Sequence, residues 1–123
     1  MYGRAMRTRR NVPLVIGVST VMVVFGVHQL VRPKDWTDYV PDQLDEALPL
    51  ETETKMRLHG AGNVSLGLLF LLFYKKPVVT WMTAGWWGFV TPVCWWHGWK
   101  EGLRDLPILF AIVQLATTPD SKN

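Results

Sequence analysis

The chain has 123 residues, with 13 Lys and Arg against 10 Asp and Glu, a formal net charge of +3, and 49% apolar against 19% charged residues. The charges gather in short stretches, which argues against an ordinary soluble domain, and the apolar runs leave no length for a separate soluble catalytic domain. A single cysteine, Cys94, excludes an intrachain disulfide and a multi-cysteine zinc site. No Lys/Arg-rich patch lies beyond the N-terminus, so the basic balance reads as membrane topology and not as nucleic-acid binding.

A membrane-spanning helix needs about 20 mostly apolar residues. Four stretches are free of Asp, Glu, Lys and Arg: 11–31, 58–74, 77–99 and 106–119. They predict spans of about 12–31, 55–74, 77–97 and 104–118 in a single domain over 1–123, with a long outer loop at 32–54. The first run follows Arg4, Arg7, Arg9 and Arg10. It is long for a signal-peptide core and no small-residue cleavage site follows it, so a retained helix is expected. In the loop, Asp35-Trp36-Thr37-Asp38-Tyr39 carries aromatics suited to the headgroup layer. Pro41 and Pro49 bracket Leu44 and Leu48, one helical turn apart, which predicts a short interfacial helix.

The second span should begin near Leu50, because 51–57 lacks Gly and Pro and sets Glu53 and Arg57 at i,i+4. Pro77 and Pro107 suit the first turns of the third and fourth helices, and Asp105 is expected to cap the fourth. Pro92 frees the carbonyl of Gly88 and should kink the third. The tail from Thr117 onward is polar and expected to fray. The N-terminal arginines with Lys75 and Lys76 place both termini in the cytoplasm of a bacterial-type inner or plasma membrane. Arg32, Lys34, Lys55, Arg57, Lys100 and Arg104 fall on the opposite side and nearly balance that count. The expected fold is all-α, an integral membrane up-down four-helix bundle.

Several residues could carry chemistry near the outer end. His59, Asn63 and Gly67 recur every four residues on the second helix, with Gly60, Ala61 and Ser65 close by, so one small and polar face must look inward. Its structural reading is a packing seam; its functional reading makes His59 and Asn63 part of a ligand or proton site. His28, His59 and His97 share a depth but no i,i+3 or i,i+4 spacing, which disfavours a metal or haem site. Around Trp95-Trp96-His97-Gly98-Trp99, Arg104 could pair with Glu101, Glu51 or Glu53, or donate to an anion or quinone headgroup. Trp81, Trp95, Trp96 and Trp99 suit aromatic belts, whereas Trp86 and Trp87 fall near mid-membrane, where an indole N–H needs an acceptor. That kinked aromatic wall could accept a flat apolar ligand, although plain core packing explains it too. The candidate outer pocket is therefore His28, His59, Asn63, Trp96, His97 and Arg104. Glu53, Arg57, Glu101 and Asp105 are the structural ion pairs and cap. No catalytic or metal-ligating residue is assigned.

The run Phe25-Gly26-Val27-His28-Gln29-Leu30-Val31-Arg32-Pro33, followed by Trp36, Tyr39, Val40 and Pro41, resembles the DoxX-like family of small four-helix membrane proteins. That family ends its first helix with a glycine and a histidine, followed by a proline, an aromatic and Val-Pro. The glycine-punctuated stretch 60–69 is similar to its second helix, where the family often places a glutamate at the position of Asn63. Some members resemble the membrane subunit of a thiosulfate:quinone oxidoreductase, others accompany redox maturation systems, and distant animal relatives assist membrane-protein assembly. The resemblance implies an accessory, non-catalytic subunit or assembly partner of a larger respiratory or redox membrane complex. Its alternative is a quinone- or lipid-binding oxidoreductase subunit. The expected partners are the bilayer and a membrane protein or a second copy, with no nucleic acid.

Overall fold

The computed structural model describes residues 2–117, with the side chains of its first helix described from Val12 onward. The polar tail after Thr117 and the side chains of the N-terminal arginines lie outside the described residues. The protein is all-α. Helix α1 spans Tyr2–Val31, a 3-10 helix spans Pro33–Tyr39, and α2 spans Asp42–Ala47; α3 spans Thr52–Phe73, α4 Pro77–His97 and α5 Trp99–Thr117.

Each long helix buries one narrow stripe. On α1 it is Val15, Val18, Ser19, Met22, Gly26 and Gln29; on α3, Met56, Gly60, Asn63, Gly67 and Phe70; on α4, Val79, Thr83, Trp87, Thr91 and Cys94. Steps of three and four follow the 3.6-residue turn, so each stripe faces its neighbours along the whole helix. The stripes of α1 and α3 pack closely and antiparallel, because Gly26 meets Gly60 while Met22 meets Gly67. A Cβ on Gly60 would stand 2.8 Å from the Gly26 carbonyl oxygen, and one on Gly26 2.7 Å from the Gly60 carbonyl oxygen. Only glycine allows the two backbones to come this near. Helices α4 and α5 form the other close pair, and a Cβ on Gly102 would stand 2.7 Å from the Trp95 Cα.

Two helix boundaries differ from the sequence reading. Helix α1 begins at Tyr2 and runs through Pro13, ahead of the apolar stretch. Helix α5 begins at Trp99, so the polar hairpin is helical and Gly98 alone joins α4 to α5. As a result Asp105 and Pro107 lie inside α5, and neither caps it nor occupies its first turn. Pro77 does open α4, and Pro92 lies within it. The loop between α1 and α3 is mostly structured: Pro41 precedes α2, and Glu51 precedes α3.

Two segments, Val12–Val31 and Thr52–Phe73, are long and apolar enough to cross a membrane. Helix α4 carries no Asp, Glu, Lys or Arg, but its Gly, Pro, Thr, His and Trp dilute its apolar character; α5 opens with Lys100, Glu101, Arg104 and Asp105.

Candidate functional site

The end of the bundle where α1 stops and α3 starts is built differently from the rest. In the middle, Val15, Val18, Met22, Phe70, Val79, Ala84 and Ile112 fill the core. Toward the α1 C-terminus the inward positions become Gln29, Lys55, His59, Asn63, Trp86, Trp87 and Asp105, and a cavity of about 240 Å³ opens among them.

Asn63 ties three helices together. Its Nδ2 donates to Gln29 Oε1 on α1 at 2.9 Å, and its Oδ1 accepts the Trp86 indole N–H from α4 at 2.7 Å. A buried side-chain amide has donors and acceptors to satisfy, and these two bonds use both its ends. The His59 ring stacks on Trp86 with centroids 4.8 Å apart and planes 16° from parallel. Gly62 makes room for that indole, since a Cβ there would stand 2.5 Å from its Cη2 atom. Trp86 thus finds its acceptor on a side chain of α3 and not on the Gly88 carbonyl ahead of Pro92.

The strap between α1 and α3 roofs the cavity with Trp36, Tyr39, Val40, Pro41, Leu44 and Leu48. Two fastenings hold it. The first is a run of rings: Trp36 donates its indole N–H to His28 Nδ1 at 2.7 Å and lies against Phe25 and Tyr39, while Tyr39 stacks on His97 with centroids 4.0 Å apart. Burial pushes the Tyr39 phenol above its usual value of 10, so it is neutral where it stacks. The second is ionic. Lys55, 9% exposed, donates through Nζ to Asp45 Oδ1 at 2.6 Å and to the Asp45 carbonyl oxygen at 2.5 Å. Thr52 Oγ1 donates to the same Oδ1 at 2.9 Å. These bonds from Lys55 and Thr52 hold the Asp45 carboxyl below its usual value of 3.8.

Of the six candidate pocket residues, His59, Asn63 and Arg104 line the cavity. His28 and His97 sit above it as the fastening points of the strap. Trp96 faces a separate shallow groove bordered by Asp38, Asp42, Asp45, Glu51 and Glu53. The three imidazoles do not converge, since each engages its own aromatic partner: Trp36, Trp86 or Tyr39. Among the described residues, no group of three His, Cys, Asp or Glu is placed to hold a metal ion.

The expected ion pairs are rearranged. Arg104 Nε approaches Asp105 Oδ1 at 3.2 Å, with its guanidinium over the Phe25 ring at 5.9 Å, instead of reaching Glu101, Glu51 or Glu53. Glu101 faces His97 at 3.8 Å, and Glu53 faces Lys34 at 4.0 Å. Arg57 is exposed and joins no ion pair among the described residues.

Sequence reasoning left Lys55 among the outer charges and passed over Gln29 as a hydrogen-bond partner. For Lys55 a signal existed, because it stands four residues before His59 and so continues the row His59, Asn63, Gly67. Gln29 lies on the stripe that begins at Val15 and Val18, yet its partner is 34 positions away and only packing reveals it.

One further feature marks the cavity. Trp87 is 4% exposed and lines it, and its indole N–H has no hydrogen-bond partner. The other buried side-chain atoms left unpartnered among the described residues, Ser19 Oγ and Thr91 Oγ1, belong to residues that do not line it. The chain matches no family model, no curated protein and no solved structure.

Proposed function

We propose that this protein is a four-helix integral membrane protein of the DoxX-like kind, an accessory, non-catalytic subunit or assembly partner of a larger respiratory or redox membrane complex. Its membrane is of the bacterial inner or plasma type, with both termini cytoplasmic. The observation that carries the membrane reading is the outer surface of the bundle. Val24 and Leu30 on α1, Leu68 and Leu72 on α3, Val78 and Met82 on α4, and Leu103 and Phe110 on α5 are all exposed. Large apolar side chains on the outward face of every long helix suit lipid or a partner helix and not water. Only 33% of the Val12–Val31 window and 28% of the Thr52–Phe73 window is buried, unlike the core helices of a soluble protein.

The non-catalytic reading is supported by how the ionisable groups are used. Lys55 is bound to Asp45 and Arg104 to Asp105, and Asn63 is satisfied by Gln29 and Trp86. The bonds of Lys55 and Asn63 hold helices and strap in place, and the Arg104 pair lies within α5. Gentle-detergent extraction from native membranes, followed by mass spectrometry, tests the subunit reading: co-elution in fixed ratio with a membrane complex is the expected result, and a lone protein refutes it. Release of the chain by alkaline carbonate refutes the membrane reading.

The cavity favours a second reading, in which the chain is the quinone- or lipid-binding subunit of an oxidoreductase. A protein that elutes alone with a bound lipid-soluble molecule supports that reading over the first.

A further inference from the structure

We infer that His28 is a pH-sensitive latch on the roof of the outer cavity: neutral, it holds Trp36 in place, and protonated, it releases Trp36 and turns to Asp35. Such a latch acts on the roof whatever the cavity receives, so it is independent of both readings above.

The geometry fixes the state of the ring. The Trp36 indole nitrogen can only donate, and it lies 2.7 Å from His28 Nδ1. Nδ1 must therefore offer its lone pair, which leaves the single proton of the neutral imidazole on Nε2. That nitrogen faces Asp35 Oδ2 at 3.8 Å. The ring thus stands between an indole donor and a carboxylate, and the two make opposite demands on it. Protonation puts a second N–H on Nδ1, where it meets the indole N–H and no bond is possible, while the cation is drawn to Asp35. Imidazole is the side chain that ordinarily changes charge between pH 5 and 8. The His28 side chain is 46% exposed, so water delivers the proton.

The surrounding charges leave this exchange to His28 and its two partners. Arg32 shares Asp35 through Nε at 3.2 Å, and Lys34 faces Glu53 on α3. On the α5 side Arg104 lies over the Phe25 ring and is matched by Asp105. His97, at the other end of the ring run, responds in the opposite sense. It stacks on Tyr39 and has Glu101 at 3.8 Å, so a proton on His97 adds attraction to both of its neighbours. Trp36 is therefore released while Tyr39 stays, and the Lys55–Asp45 bond keeps the far end of the strap fastened. The roof loosens along one edge only, the edge next to α1.

A spin label on Asp38→Cys, an exposed position two residues past Trp36, reads that edge in the detergent-solubilised full chain, where Cys94 is buried. From pH 8 to pH 5 the ratio of mobile to immobile label should rise about two- to tenfold, the worth of one neutral hydrogen bond. A label on Glu46→Cys should not change over the same range. His28→Asn, whose amide oxygen accepts an indole N–H at either pH, should keep the Asp38→Cys label immobile throughout; His28→Leu, with no acceptor, should leave it mobile throughout. A ratio that stays constant from pH 8 to pH 5 overturns the inference, as does a rise that persists in His28→Asn or is matched at Glu46→Cys. Where His28→Asn fails to fold, Trp36→Phe takes its place: it lacks the donor, so the rise should vanish, and a rise that survives it overturns the latch.

Discussion

The two ends of the bundle solve the same packing problem with different materials. In the half that holds Val15, Val18, Phe70, Val79 and Ile112, aliphatic and aromatic side chains fill the space between helices. In the half that holds Gln29, Lys55, His59, Asn63 and Asp105, polar groups bond to one another and large rings stack, and a cavity remains. Aliphatic side chains fill irregular gaps because their contacts carry no directional demand. Amides, ammonium groups and stacked rings must meet at set distances and angles, so the space they enclose is set by their bonds. The filled half is therefore suited to holding the helices together, and the roofed half to receiving something.

If that division is correct, substitutions in the filled half should act on stability alone. Phe70→Ala, at a side chain with 0% exposure, should cost about 3–5 kcal/mol in a thermal or denaturant melt of the detergent-solubilised protein. Tryptophan emission of the folded fraction should be unchanged. A changed emission without loss of stability would break the comparison.

At the seam between the halves, Gly60→Ala forces a methyl group against the Gly26 carbonyl. The expected cost is about 1–3 kcal/mol, with α1 displaced from α3. Asn63→Leu strands the Trp86 N–H and the Gln29 carbonyl oxygen inside the protein, for about 1–3 kcal/mol. It should also shift the tryptophan emission, because Trp86 loses its acceptor. Trp81→Phe, at an exposed residue on the same helix, should move the melt by less than about 0.5 kcal/mol.

The smallest effect concerns the strap. The Asp45 carboxyl is held below its usual value of 3.8, so it contributes stability above that value and loses it as pH falls through the lowered one. A spin label on Glu46→Cys should keep constant mobility from pH 8 to pH 5 and become freer only in stronger acid. Asp45→Asn should show the freer signal at every pH. Equal mobility of the two proteins at neutral pH would mean that the ring contacts of Trp36 and Tyr39 alone hold the roof.

The positions of the long helices were legible because charge-free runs and 3.6-residue periodicity are local properties. The short helix between Pro41 and Pro49 was legible for the same reason. The start of α5 was not. Lys100, Glu101, Arg104 and Asp105 read as a hairpin, yet packing of Gly102 against Trp95 carries the helix back to Trp99. The polar face of α3 was visible in the four-residue spacing, and its bonds were not. Asn63 is joined to Gln29 and Trp86 across 34 and 23 positions, and Lys55 to Asp45 across a strap whose path only folding reveals.

The sequence by itself determined an all-α chain, the approximate helix limits, the inward polar face of α3 and the aromatic wealth of α4, since each depends on residues a few positions apart. Tertiary structure alone decided that His28 and His97 fasten a roof instead of lining a pocket, that Arg104 turns to Asp105, and that the Trp87 N–H is buried without a partner. Those outcomes depend on which side chain is brought within reach of a given acceptor, and that is settled by the crossing of helices in space.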